Sequence, residues 1–208
     1  MGFIRRGLCY LCLFFPLWVN AGQIAQVVAS VGSNHALRAG QQVSLQRAAP
    51  INAGDELNTG AGARLVVKFN DGTVLTLGEN TQLLLNDWQY NNKAQDNHAG
   101  FKLGAGVFRM ITGAITQQAD PDLNIETPIG SIGVRGTDFW GGYLDADAID
   151  VILLEGEHKI EVSNALGSVL IASPGYGVTM KQGAAPAQPI KWGSQKLQRA
   201  VQTIKMPE

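Results

Sequence analysis

The sequence predicts an all-β fold, sandwich-like or roll-like, with a solenoid-like stack left open as a third arrangement and a short helix at the C-terminus. Three observations carry this. Short β-branched and apolar runs recur with turn signals roughly every 8–12 residues. The chain holds 25 glycines and only 16% charged residues, while apolar content stays at 45%, a balance that suits tight turns around a core rather than disorder. Nothing before residue 190 has the apolar spacing of a long amphipathic helix.

In order, Ile24–Val31 (IAQVVASV) reads as a strand, and Ala53 to Gly60 (AGDELNTG) as a turn, a short strand and a second turn. Ala63–Phe69 and Thr73–Leu77 flank Asn70-Asp71-Gly72. Asp-Gly between two alternating runs is a strong hairpin signal, because both residues tolerate the turn backbone. Gly78-Glu79-Asn80 turns the chain into a strand over Thr81–Leu85, and a polar loop, Asn91–Asn97, follows. Gly106–Thr112 reads as the next strand, then Leu123–Thr127 and Ile129–Val134 hinged at Pro128. Phe139–Leu144 and Ala148–Leu154 form a hairpin around Asp145-Ala146-Asp147, and His158–Ser163, Ser168–Ala172 and Tyr176–Met180 complete the strands. Gly183–Pro189 is a linker. Ser194 is placed to cap a helix with Leu197, Val201 and Ile204 on one face; docking of that face on the sheet is favoured over its use by a partner.

The N-terminus reads as a secretory signal. Arg5 and Arg6 precede a short apolar run, Leu8–Val19, broken by Pro16, and Val19-Asn20-Ala21 supplies a cleavage site after Ala21. The run is shorter than the roughly 20 apolar residues of a comfortable membrane span. Neither Cys9 nor Cys12 stands where an acylated cysteine follows such a run. The expected organisation is a cleaved signal over residues 1–21, an all-β domain over 22–182, and linker plus helix over 183–208. The expected product is periplasmic, without a stable membrane anchor. Both cysteines leave with the signal, so thiol nucleophiles, cysteine metal sites and disulfides are expected to be absent from the mature protein. Loss of Arg5 and Arg6 moves the formal charge from −1 to −3. No basic stripe exists to neutralise phosphates, so nucleic acid is not an expected partner.

Searches for chemistry find little. Gly130-Ser131-Ile132-Gly133 lacks the spacing of a nucleophile elbow. Gly60-Ala61-Gly62 lacks the lysine and helix of a phosphate loop. His35, His98 and His158 lack metal-ligand spacing, and Asp145 to Asp150 lacks the glycine and closing glutamate of a calcium loop. No catalytic residue, cofactor site or metal site is expected. Trp88, Tyr90, Trp140 and Tyr143 could form a sugar platform, but packing explains aromatics in strands equally well. In IETPIGSIGVRGTDF (Ile125–Phe139), Arg135 and Asp138 are expected to pair with each other, or to bind backbone groups left free at a strand junction, as an Arg-centred polar lock.

Taken in series, several elements resemble the FecR-type periplasmic domain: Gly54-Asp55-Glu56-Leu57-Asn58-Thr59-Gly60, Asp71-Gly72-Thr73, Gly133-Val134-Arg135-Gly136-Thr137-Asp138-Phe139, Leu154-Glu155-Gly156 and Pro174-Gly175-Tyr176-Gly177-Val178. The resemblance covers roughly residues 24–181. The motif residues it marks, structural or interacting, are Gly54, Asp55, Asp71, Gly72, Gly133, Arg135, Gly136, Thr137, Asp138, Phe139, Glu155 and Gly156. The family's namesake is an inner-membrane regulator that senses an outer-membrane transporter and controls an extracytoplasmic sigma factor. This chain departs from that plan, with a signal where the namesake has a cytoplasmic segment. The resemblance implies a non-enzymatic envelope module for signalling or protein interaction, with one or more envelope proteins as partners. A glycan or small-ligand binding module is the second expectation, and a β-sandwich hydrolase the third.

Overall fold

The computed structural model describes residues 22–91 and 96–207. The expected signal segment, residues 1–21, and the centre of the polar loop after Tyr90 lie outside the described residues.

In chain order the strands are β1 (Gln23–Val31), β2 (Asn34–Arg38), β3 (Gln41–Ser44), β4 (Pro50–Asn52), β5 (Glu56–Thr59), β6 (Arg64–Phe69), β7 (Val74–Leu77), β8 (Gln82–Gln89) and β9 (His98–Ala105). They continue with β10 (Val107–Ile111), β11 (Asp122–Thr127), β12 (Gly130–Val134), β13 (Asp138–Asp145), β14 (Ala148–Glu155), β15 (Ile160–Asn164), β16 (Gly167–Ile171), β17 (Tyr176–Lys181) and β18 (Ile190–Lys191). A single turn of 3-10 helix, Ala114–Thr116, follows β10, and α1 spans Ser194–Ile204.

These strands form two nine-stranded sheets, neither closed into a barrel. The first runs β18-β17-β14-β13-β10-β7-β6-β1-β4 and the second β16-β15-β12-β11-β9-β8-β5-β2-β3. From β6 onward the chain lays β6–β7 in the first sheet and β8–β9 in the second, returns β10 to the first, and continues β11–β12, β13–β14, β15–β16 and β17–β18 in alternation. The result is an all-β sandwich assembled in a solenoid-like manner, each unit stacked on the one before. Neighbouring strands are antiparallel except β9 and β11, which run parallel with Ile125 beside Phe101. Those two are separated in sequence by β10 in the opposite sheet, so the crossover that parallel pairing requires is supplied by a strand instead of a helix.

Inward residues of both sheets make one core, from Val27, Leu57 and Leu65 through Phe101 and Phe108 to Phe139, Val151, Val162 and Met180. Phe108 meets Phe139 edge-on, with centroids 5.5 Å apart. Period-two burial is plain in β6, where Leu65, Val67 and Phe69 are buried and Lys68 is exposed. It disappears in β13 and β14, where residues 138–142 and 148–153 are buried without a break. Those strands have cover on both faces: the core on one side and α1 on the other.

The helix begins at Ser194 itself; Gly193 occupies the cap position in extended backbone and no side chain caps the helix, so the expected capping role of Ser194 is not the observed one. Its docking stripe is Leu197, Ala200 and Ile204, packed on Val107, Trp140, Ile152 and Trp192. Val201, expected on that stripe, sits at its rim and is 39% exposed, because the i, i+3, i+7 row faces the sheet. Polar contacts fix the orientation. The buried Asp150 carboxylate accepts Lys196 at 2.5 Å, and Thr179 completes the triad. The Lys196 ammonium lies 4.4 Å from the Trp192 ring centroid. Trp140 donates its indole N–H to Thr203 at 3.1 Å.

Gly78 is the seat of the helix end. A Cβ there would lie 2.6 Å from the Thr203 carbonyl oxygen and also meet the Val107 side chain. Gly78→Ala is expected to lift the last turn of α1 while leaving the two sheets intact, at a cost of about 1–3 kcal/mol. Hydrogen exchange of the α1 amides, set against those of the β14 amides, checks this: the former should speed up much more than the latter.

Candidate functional site

The acidic and hydroxyl residues of the motifs gather at the points where the chain crosses between sheets, and each is held by a defined set of partners. Asp55 follows the crossing from β4 to β5 and is fully buried. Its carboxylate takes a two-pronged hydrogen bond from Arg38, at 2.8 and 2.7 Å, and accepts the Asn52 backbone N–H at 2.9 Å. Hydrogen bonding to Asp55 raises the Arg38 guanidinium above its ordinary value, against an opposing effect of burial.

Asp71 closes the β6–β7 turn. One carboxylate oxygen accepts the Thr73 N–H at 2.9 Å, and the other accepts the Thr73 hydroxyl at 2.7 Å and the Ile115 N–H at 3.2 Å. Its carbonyl accepts the Ala114 N–H, while Thr73 Oγ1 accepts the Gly113 N–H, both at 2.9 Å. The Asp-Gly-Thr turn therefore holds the 3-10 turn that carries the chain from β10 into the opposite sheet.

The Arg-Gly-Thr-Asp-Phe stretch works on the same principle. Thr137 donates its N–H to Thr112 Oγ1 at 2.7 Å and its hydroxyl to the Glu155 carbonyl at 2.6 Å. It thus joins the chain's exit from β10, its entry to β13 and its exit from β14. Gly156, at φ +120°, passes so close that a Cβ would stand 2.8 Å from Thr137 Oγ1. Asp138 accepts Arg109 Nε and Nη2 at 2.8 and 2.5 Å. That bond raises the Arg109 guanidinium above its ordinary value; burial opposes it, and the charges of Asp138 and Glu155 add to it. Phe139 is buried in the core.

The expected Arg135–Asp138 pair is not formed. Asp138 is turned toward the face of β13 that carries Trp140, and Arg109 on neighbouring β10 reaches it there. Arg135 lies in the other sheet, just beyond β12, is exposed, and makes no hydrogen bond or ion pair among the described residues. The lock is arginine–aspartate as expected, but its arginine is Arg109. Arg38 and Arg109 were not legible as partners; the one signal was Arg109 inside the apolar run of β10, and Arg38, at the end of β2, gave none. Gly54 and Gly72 occupy positive-φ turn positions, Gly136 does so beside Thr116 and His158, and Gly133 lies half-buried in β12. Glu155 contributes its carbonyl to Thr137, while its side chain is exposed.

The aromatic platform is absent as a surface. Trp88 stacks on Phe69 with centroids 4.5 Å apart and packs on the core with Tyr90. Trp140 is fully buried beneath α1. Tyr143 is half-buried, and its hydroxyl is enclosed without a hydrogen-bond partner among the described residues. Burial pushes its phenol up, and the nearby Thr127 side chain partly opposes this without reaching hydrogen-bond geometry. It borders a cavity of about 370 Å³ with Gly106, Pro128 and Asp147. Among the described residues no three histidine, cysteine or acidic side chains group as metal ligands. His98 lies 3.0 Å from Asp87, far in sequence and sheet position from His35 and His158. Asp150, at the end of the stretch compared with a calcium loop, is engaged by Lys196, and Asp145 by Arg199, which holds its carboxyl below the ordinary range. No helix among the described residues is long and apolar enough to cross a membrane.

The protein is thus an all-β sandwich whose sequence motifs bind its own crossings and turns. The chain belongs to the FecR protein family, whose signature matches residues 55–158, the span from the first motif acid to His158. The fold is similar to that of two crystal structures of a candidate anti-sigma factor from Parabacteroides distasonis ATCC 8503. Each is 16% identical over 69% of this chain and 62% of that chain, with TM-scores of 0.53 and 0.52. This chain therefore spans less than two thirds of those proteins, and at such identity the likeness concerns the fold alone. No curated protein matches the sequence.

The two arginine pairs differ in burial, and that sets their cost. In the Arg38–Asp55 pair the acid is wholly enclosed, whereas Arg109 and Asp138 keep 36% and 10% of their side-chain surfaces in contact with water. Arg38→Met should cost about 3 kcal/mol, since it strands a buried charge. Arg109→Met should cost about 1–2 kcal/mol, and Arg135→Met less than about 0.5 kcal/mol. Urea unfolding midpoints of the three variants measure the order.

Proposed function

We propose that the protein is a non-enzymatic, periplasmic protein-interaction module of an envelope signalling system. The observation that carries this reading is membership of the FecR family over the segment that builds the sandwich core. Three features support it. The motif carboxylates Asp55, Asp71 and Asp138 are spent on arginines and turn amides, which is what a scaffold requires of them and what a general acid or base in a cleft does not do. The aromatic side chains offered for a glycan surface are taken up by the core and by the seat of α1, so no observation favours that second reading. The sandwich also ends in strand edges, and edges are the part of a sheet to which other proteins add.

The periplasmic location rests on the Arg5-Arg6 and Leu8–Val19 leader with its site after Ala21. Regulation of transcription through a partner is the family's general theme. In this protein the immediate task is recognition of another envelope protein, and the direct handling of a sigma factor is not part of the proposal.

Two measurements test it together. Mass spectrometry of the protein recovered by osmotic shock should find an N-terminus at Gly22. Affinity purification from cross-linked envelopes should recover one protein in near-equal amount. A chain that stays cytoplasmic with its N-terminus intact, or that comes out alone under cross-linking, contradicts the reading.

A further inference from the structure

Among the charged members of the family motifs, Arg135 has no task inside the molecule. Its neighbours Gly136, Thr137, Asp138 and Phe139 turn, brace, pair and pack, whereas Arg135 is exposed and makes no polar contact among the described residues. It borders a groove of about 550 Å³ on the outer face of the second sheet, with Lys159, Glu161, Ser168, Val169 and Leu170. The register explains the groove. Gly133 pairs with Glu161 and Glu161 with Leu170, so one row of outward positions runs from β12 to β16 and begins with a residue that has no side chain. Arg135 and Lys159 stand at one end of that row.

The groove opens onto β16, which pairs with β15 and is the last strand of its sheet. The four sheet edges are not alike. In the first sheet, β18 has two residues and β4 has three, beginning with Pro50, and such short or proline-bearing edges resist pairing. In the second sheet, β3 is a polar four-residue strand, QQVS. β16 is five residues, GSVLI, with no charge and no proline; its Leu170 is 52% exposed and Leu166 just before it 61%. It is the longest and most apolar of the four; the segment at Ala184 and Ala185 approaches only its beginning, at Asn164 and Gly167, and no charge or proline guards the rest.

From these two observations we infer that the β16 edge and the Arg135–Lys159 groove form one docking site for an extended acidic segment of a partner protein. The segment adds as a further strand outside β16. Backbone hydrogen bonds supply attachment, and alternate side chains of the added strand lie over Leu170 and toward the two cations. Charge decides the occupant. Two cations face one carboxylate, Glu161, and none of the three forms an ion pair among the described residues, so the site carries an uncompensated positive charge suited to a glutamate or aspartate. A second copy of this chain would bring its own Arg135 and Lys159 to the seam. This inference rests on the proposed interaction function and names the surface that carries it.

The test has two arms. In the first, the folded protein is titrated with a capped hexapeptide alternating valine and glutamate, or valine and lysine, and followed by amide NMR. The acidic peptide should shift and protect the β16 amides that face away from β15, and the basic peptide should bind at least about tenfold more weakly. The variant R135E/K159E should reverse the preference, and its changes are on exposed positions that leave the fold intact. Equal response to both peptides, or shifts away from β16, overturns the inference. In the second arm, Leu170→p-benzoylphenylalanine is compared in cells with the same photo-crosslinker at Leu37 and at Val201. An adduct from position 170 that disappears with R135E/K159E supports the site. An adduct from position 201 or 37 alone overturns it while leaving the interaction function standing, and an adduct between two copies replaces the acidic partner with self-association. Absence of adducts at all three positions removes both the site and the function it rests on.

Discussion

The structure depends on satisfying backbone polar groups where the chain leaves one sheet for the other. Strands within a sheet satisfy one another, but every crossing interrupts that ladder and leaves N–H and C=O groups between two apolar layers, where an unmade hydrogen bond costs about 1–3 kcal/mol. One solution recurs. A small buried side chain from a crossing, or from a turn packed beside one, binds the backbone of a crossing that is distant in sequence. Thr81 accepts the Val107 N–H at 3.0 Å and stands near the carbonyls of Gly78 and Val107. Thr59 donates to the Gly78 carbonyl at 2.5 Å and accepts the Thr81 N–H. Asp71 and Thr73 hold residues 113–115, and Thr137 joins residues 112 and 155. Stacked crossings thus become a column of reciprocal anchors, and the alternation of hairpins between the sheets is fixed by it.

This explains why the motifs are rich in Gly, Thr and Asp without forming a site. Threonine and aspartate supply short acceptors that reach a neighbouring backbone, and glycine lets the chains come close enough to be reached, as Gly156 does beside Thr137. The arginines close what remains. Arg38 and Arg109 each present a planar fork to a carboxylate at a strand end, a geometry lysine could not reproduce. Arg135 is the exception, and its exposure on the groove that leads to the β16 edge separates it in kind from the rest. α1 meets a different need. The first sheet has an outward apolar patch around Trp140 and Ile152, and the helix covers it, clamped by half-exposed Lys196 on buried Asp150.

Much of the architecture was legible in the sequence. The hairpins at Asp71-Gly72, Pro128 and Asp145–Asp147 stand where turn chemistry put them. The strands that escaped notice are short or mixed in character. β2, β3 and β4 are polar and interrupted by turns, and His98–Ala105 alternates with glycines, so period and propensity were weak there. At the candidate site, the arginine–aspartate theme was legible but its pairing was not. Arg109 and Asp138 meet because β10 and β13 are neighbours, although 29 residues separate them. Sequence proximity favoured Arg135, three residues away; the crossing between sheets sends Arg135 and Asp138 to opposite sides of the sandwich. For the aromatic residues the favoured expectation was packing, and the structure shows it, with Trp88 and Tyr90 against the core and Trp140 beneath α1.

The central claim is that buried threonine hydroxyls, at the crossings or in turns packed against them, hold the two sheets in register. It is tested most directly by amide hydrogen exchange in Thr81→Val and Thr73→Val, which keep the shape and remove the hydroxyl. The account predicts a loss of about 1–3 kcal/mol in each, with exchange accelerated first at the amide that loses its acceptor, Val107 in one variant and Gly113 in the other. Unfolding free energies unchanged within about 0.5 kcal/mol, with both amides as protected as before, would contradict it.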